Sequence, residues 1–154
     1  MRSTLFILST LLTGSLCAPA SQAEDMQLRY ISLVNNGGYI IDPVVLHWKT
    51  PDGNKKSKNL GPRIGNNEGI CYDLSADNDI PDGSEVWMVA KIEAGDNESC
   101  RKDRKHMYDA SSSEVWYVKM SGTTFNNNRC KNTGSGSVDG KDILMKGNSS
   151  KCEN

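Results

Sequence analysis

The chain reads as an all-β protein, an antiparallel β-sandwich or small barrel of about six to eight short strands held by two disulfides. Three observations lead there. Apolar residues alternate with polar ones over short runs and nowhere recur at helical spacing across several turns. Glycine and Asn/Asp clusters punctuate the chain every ten or so residues. Cysteines in an even number follow an export signal, the setting in which disulfides form and persist.

The export signal is the opening MRSTLFILSTLLTGSLCAPASQA, with a positive charge at Arg2, an apolar run from Leu5 to Leu16 and small residues up to Ala23. The run is well short of the roughly 20 residues that span a bilayer. Residues 1–23 are therefore expected to be removed as a signal peptide, with 24–154 forming a single secreted or periplasmic domain. Ala18-Pro19-Ala20 offers a second cleavage point, and the bulky Leu16 before Cys17 argues against lipid attachment there. Loss of Arg2 turns 18 basic residues into 17 against 19 acidic ones. No global positive field draws such a chain to nucleic acid. The core is expected to be thin, since only Phe125 represents phenylalanine after Phe6 leaves.

Strands follow in order. Residues 27–35, QLRYISLVN, and the run GYIIDPVVLHWK are rich in β-formers. Asn36-Gly37 between them predicts a hairpin, because both central positions of the tight turn need positive φ. Pro43 cannot donate to a ladder, so it marks an edge, a bulge or a break. Pro51-Asp52-Gly53 predicts a second hairpin with a polar returning arm. EGICYDL gives a short strand through Cys71. In the run from Glu85, Val86, Met88, Ala90 and Ile92 fall on one face, and Trp87, Val89, Lys91 and Glu93 on the other. The run from Val115 places Trp116, Val118 and Met120 on the face to be buried. The glycine- and serine-rich tail is expected to be a loop, an edge strand around Asp142–Met145 and an end tied by Cys152. The strand–turn–strand layout ending in Trp48 is similar, at the level of fold, to small membrane-binding sandwiches such as aegerolysins and actinoporins. That resemblance covers the first quarter of the secreted part.

Cys71, Cys100, Cys130 and Cys152 form two disulfides on this reading. Sequence leaves the pairing open among three connectivities. Nearest neighbours, Cys71 with Cys100 and Cys130 with Cys152, are the expected arrangement. The cysteines lack a Cys-x-x-Cys pair and histidines are few, which disfavours structural zinc.

His47 and His106 are expected to be structural, His106 as a solvated loop residue, and no hydrolase signature surrounds either. Asp73, Asp77, Asp79 and Asp82 supply oxygen ligands of the kind calcium takes, but an EF-hand count from Asp73 puts Asn78 where glycine is needed and Ser84 where glutamate is needed. No metal and no cofactor are expected. The basic run Arg101, Lys102, Arg104, Lys105, His106 and the lysines 55–58 suit association with a partner. Trp87, with Tyr117, would add an aromatic surface if its face is solvated. Asn97 and Asn148 begin N-glycosylation patterns, which chance alone supplies in a chain this rich in Asn and Ser.

These readings point to a non-enzymatic binding protein that meets a protein or glycan partner through Trp87, Tyr117, Arg101, Lys102, Arg104 and Lys105. A secreted membrane-binding or toxin-like sandwich, meeting an anionic or neutral lipid surface, is the alternative. A small carboxylate-dependent hydrolase is the second, and it would require two carboxyls at a set separation.

Overall fold

A computed structural model describes residues 25–101, 104–133 and 143–152. The expected signal peptide, Cys17, Lys102 and residues 134–142 of the glycine-rich tail lie outside the described residues. The described chain forms strands β1 (Met26–Leu28), β2 (Tyr30–Asn35), β3 (Ile41–Lys49), β4 (Lys55–Leu60), β5 (Glu68–Asp73), β6 (Glu85–Ile92), β7 (Glu98–Ser99), β8 (His106–Tyr108), β9 (Val115–Ser121), β10 (Arg129–Asn132) and β11 (Leu144–Gly147). One short 3-10 turn, Leu74–Ala76, interrupts them.

Two sheets pack face to face as the sandwich the alternation predicts. The first has the order β1-β8-β6-β3-β4, with β7 also on β6; the second has the order β10-β9-β2-β5-β11. Both are mixed, since β1 pairs with β8, β2 with β9 and β5 with β11 in parallel. The apolar faces of β3, β6 and β9 fall inward as read: Val44, Leu46 and Trp48 meet Val86, Met88 and Ala90 from the first sheet, and Ile31, Leu33, Trp116, Val118 and Met120 close over them from the second. The strands beyond the expected six to eight are short ones, such as two-residue β7.

Three expectations need correction. The run 27–35 is not one strand, because the chain changes sheets at Arg29. Its guanidinium turns to Asp73, donating two hydrogen bonds of 2.9 and 2.8 Å. The Asn36-Gly37 segment is not a hairpin either: β2 and β3 lie in different sheets, and neither residue adopts positive φ. Gly37 is there for space, since a Cβ would run into the Tyr39 ring. The side chain that builds this crossover is Asn35. Buried, it donates to the carbonyls of Tyr39 (2.8 Å) and Ile64 (3.2 Å) and accepts from the Gly37 N–H (2.9 Å), which satisfies polar groups that the crossing would otherwise strand.

The cysteines correct the third expectation. Cys71 pairs with Cys152 and Cys100 with Cys130. Nearest-neighbour reasoning fails because β5 and the chain end share the outer side of the second sheet, whereas Cys100 follows β7 in the first sheet and Cys130 sits on β10 in the second. The second bridge therefore ties sheet to sheet, and the first ties down the C-terminal segment. Gly147 permits the latter, as it has φ 114° and a Cβ there would strike the Cys71 carbonyl.

Other readings hold. Pro51-Asp52-Gly53 turns β3 into antiparallel β4, with Gly53 at φ 92°. Pro43 sits where the β3–β6 register shifts between Ile41 and Val44, so of its three options it takes the bulge. The tail supplies an edge strand, β11, and an end held by Cys152. Strand β4, at the other sheet's edge, exposes Lys55, Lys56 and Lys58, charges that oppose edge-to-edge pairing with another chain.

Candidate functional site

The outer faces of the two sheets differ. On the second sheet, the Cys71–Cys152 bridge covers the outward side of β2, where Tyr30 and the disulfide form a second apolar cluster flanked by Val115, Tyr117 and Met145. Strand β2 is consequently buried on both sides, which explains why its sequence does not alternate. On the first sheet no described segment forms such a cluster, and the outward residues of β3 and β6 are half-buried or exposed apart from Val45.

A cross-strand row runs over that open face. His47 on β3 stands opposite Trp87 on β6, and their rings stack at 5.5 Å between centroids and 8° between planes. On the other flank of β6 the chain continues past β7 until Arg101 comes level with Trp87, its guanidinium 4.4 Å from the ring centroid. Arg101 is held there by Glu85, two positions along β6, at 2.5 Å. The row thus ends in a cation fixed against an aromatic plane, a geometry worth about 0.5–1 kcal/mol at exposed sites. Lys49, opposite Glu85, with Lys55 opposite Lys49 and Lys91 further along β6, gives the same face a basic rim. The whole chain carries net charge −1, so this face runs against the overall balance.

The expected binding residues fall into separate places. Trp87 and Arg101 meet in the row, a pairing that their 14-position separation conceals in sequence. Tyr117 is on the opposite sheet, beside the Cys71–Cys152 cluster, and so does not extend the Trp87 surface. Arg104 and Tyr117 instead both line a cleft where the two sheets part. Lys105 is exposed just before β8, with its carbonyl accepting the Met26 N–H at 3.1 Å. His106 corrects the expectation of a solvated loop residue: it is 1% exposed on β8 and stacks on Trp116 at 3.8 Å.

Three of the four acidic residues weighed for calcium are spent on the fold, and Asp79 is exposed. Asp73 holds Arg29 and caps the 3-10 turn, Asp77 pairs with Lys58 at 2.7 Å, and Asp82 accepts the Ala110 N–H at 2.6 Å. Among the described residues no group of three or more His, Cys, Asp or Glu side chains is placed to hold a metal. Asp52, Glu68, Asp73 and Asp109 are each held below the ordinary carboxylate range, chiefly by hydrogen bonds from Thr50, Lys146, Arg29 and Ser111, whereas a general acid needs its pKa raised. Of the two glycosylation patterns, Asn97 is exposed beside β7, and Asn148 accepts the Asp73 N–H at 2.7 Å.

His47 gives the row a titratable member. Burial, and then the charge of Lys91, lower its pKa from 6.5, so the ring in the row is neutral at pH 7. A lowered folded-state value means the unfolded chain binds this proton more readily, so the contribution to stability is present above the ordinary histidine pKa and is lost as pH falls through the folded one. An NMR titration of His47 should give a midpoint below 6.5, and Trp87→Ala should move it up by exposing the ring. A midpoint at or above 6.5 in the native protein would contradict this packing.

No protein-family model and no curated protein sequence matches the chain. Among solved structures, it is similar to one described as "Trapped Toxin" (9% identity over 68% of this chain and 23% of that one, TM-score 0.36). It is also similar to listeriolysin O (18% identity, 68% and 22% covered, TM-score 0.37) and to pneumolysin (11% identity, 71% and 24% covered, TM-score 0.37). The chain spans less than a quarter of the length of each of these three proteins.

Proposed function

We propose that this protein is an exported, non-enzymatic binding protein that recognises an anionic protein or glycan through the outer face of its first sheet. The observation that carries the reading is the His47–Trp87–Arg101 row on an open, basic-rimmed sheet face. A flat aromatic centre supplies contact area at low entropic cost, and the surrounding cations attract and orient an anionic surface. Two disulfides suit a scaffold that works in an oxidising compartment.

The test is an equilibrium titration of wild type, Trp87→Ala and Arg101→Gln with dextran sulfate, uncharged dextran, and neutral and anionic liposomes. Wild type should bind dextran sulfate, more weakly as salt rises, and ignore dextran. Each substitution should weaken binding about tenfold, roughly 1.4 kcal/mol. Circular dichroism should show both variants folded, since Trp87 is half-buried on the outward side rather than in the core. Absence of dextran sulfate binding, or variants that bind like wild type, would overturn the proposal.

One observation favours a second reading, attachment to a lipid surface. Phe125 is 77% exposed in the loop between β9 and β10, an apolar ring that contributes nothing to the core. On this reading, liposome binding disappears in Phe125→Ser and survives in Trp87→Ala.

A further inference from the structure

The cleft where the sheets part is a different site from the outer face. It has a volume of about 530 Å³, within the roughly 300–1,000 Å³ of small-molecule pockets. It opens where β10 ends at Asn132 and β9 continues towards its N-terminal end at Val115, facing the β1–β8 edge of the other sheet. The stacked rings of His106 and Trp116, 1% and 2% exposed, line its base. Met26, Val115 and Tyr117 give it apolar walls.

Its charged groups come from opposite sides. Arg104 leads into β8 of the first sheet and Glu114 immediately precedes β9 of the second, and both are exposed. Among the described residues, Arg104 makes no ion pair and its guanidinium no hydrogen bond. An exposed guanidinium beside apolar walls suits an anionic headgroup on an apolar body. Glu114 on the facing rim repels a second negative charge.

We propose that this cleft binds a small amphipathic monoanion, a carboxylate or sulfonate carrying an aromatic or aliphatic body, with Arg104 taking the charged group and Met26, Val115 and Tyr117 the body. Trp116 beneath the site provides an optical report.

The experiment titrates the oxidised, folded protein with anilinonaphthalene sulfonate and with its uncharged relative phenylnaphthylamine, reading energy transfer from tryptophan. The sulfonate should saturate at one molecule per chain and bind more tightly than the uncharged compound. Arg104→Gln should weaken the sulfonate tenfold or more while leaving phenylnaphthylamine unchanged, and Val115→Glu should remove both. Dextran sulfate in excess should leave sulfonate affinity unchanged, which separates this site from the outer face. Failure to saturate, equal affinity for the two compounds, or an Arg104→Gln variant that binds the sulfonate like wild type would overturn the proposal.

Discussion

Replacing Cys71 and Cys152 together by alanine should destabilise the protein by about 4–5 kcal/mol on the chain-entropy model, because the bridge closes a long loop of the unfolded chain. The bridged residues are 81 positions apart, against 30 for Cys100 and Cys130, whose loss should cost about 3–4 kcal/mol on the same model. The structural consequence is equally specific. Without the bridge the C-terminal segment no longer covers the outer side of β2, and Tyr30 loses its apolar partners. Urea denaturation of the two double variants should therefore rank the Cys71/Cys152 pair as the more destabilised, and limited proteolysis should cleave it first near Lys146 and Lys151. A reversed ranking would contradict the role of this bridge as the clip of the second sheet.

Trp116→Ala should cost about 3–5 kcal/mol, the range for emptying a large aromatic site in a packed core. Trp116 is 2% exposed, stacks on His106 and donates its indole N–H to the Asn132 side chain, so the substitution loosens β9, β8 and β10 together. Trp116→Phe keeps the stack and removes only the hydrogen bond, which should cost about 1 kcal/mol beyond the lost ring area. Equal stability of the alanine and phenylalanine variants would show that the stack contributes little.

What was legible in the sequence follows from which strands have one wet face. In β3, β6 and β9 every second residue enters the core, so period-two alternation identified both the strands and their buried sides. Strand β2 is covered on both sides and offers no alternation, so the sequence marks only its C-terminal end and carries no sign of the change of sheet at Arg29. Asn36-Gly37 carried hairpin chemistry, but the glycine answers to the Tyr39 ring and the structural amide is Asn35, one residue earlier. The parallel pairs and the cysteine connectivity depend on segments far apart in the chain, for which a single sequence has no local signal. Alternation did put Trp87 on the outward side. That Arg101 lies over it depends on the β6–β7 register, and the burial of His106 behind a basic run depends on its stack with Trp116.

A binding surface on the outer face of the first sheet leaves a defined footprint on the His47–Trp87–Arg101 row. The most direct test is to map the footprint of bound dextran sulfate on the isotopically labelled protein by NMR chemical-shift perturbation. The largest shifts should fall on His47, Trp87 and Arg101, with Lys49 and Lys91 at the rim and the Phe125 loop unmoved. Shifts concentrated around Phe125, or on the Cys71–Cys152 side of the second sheet, would contradict it.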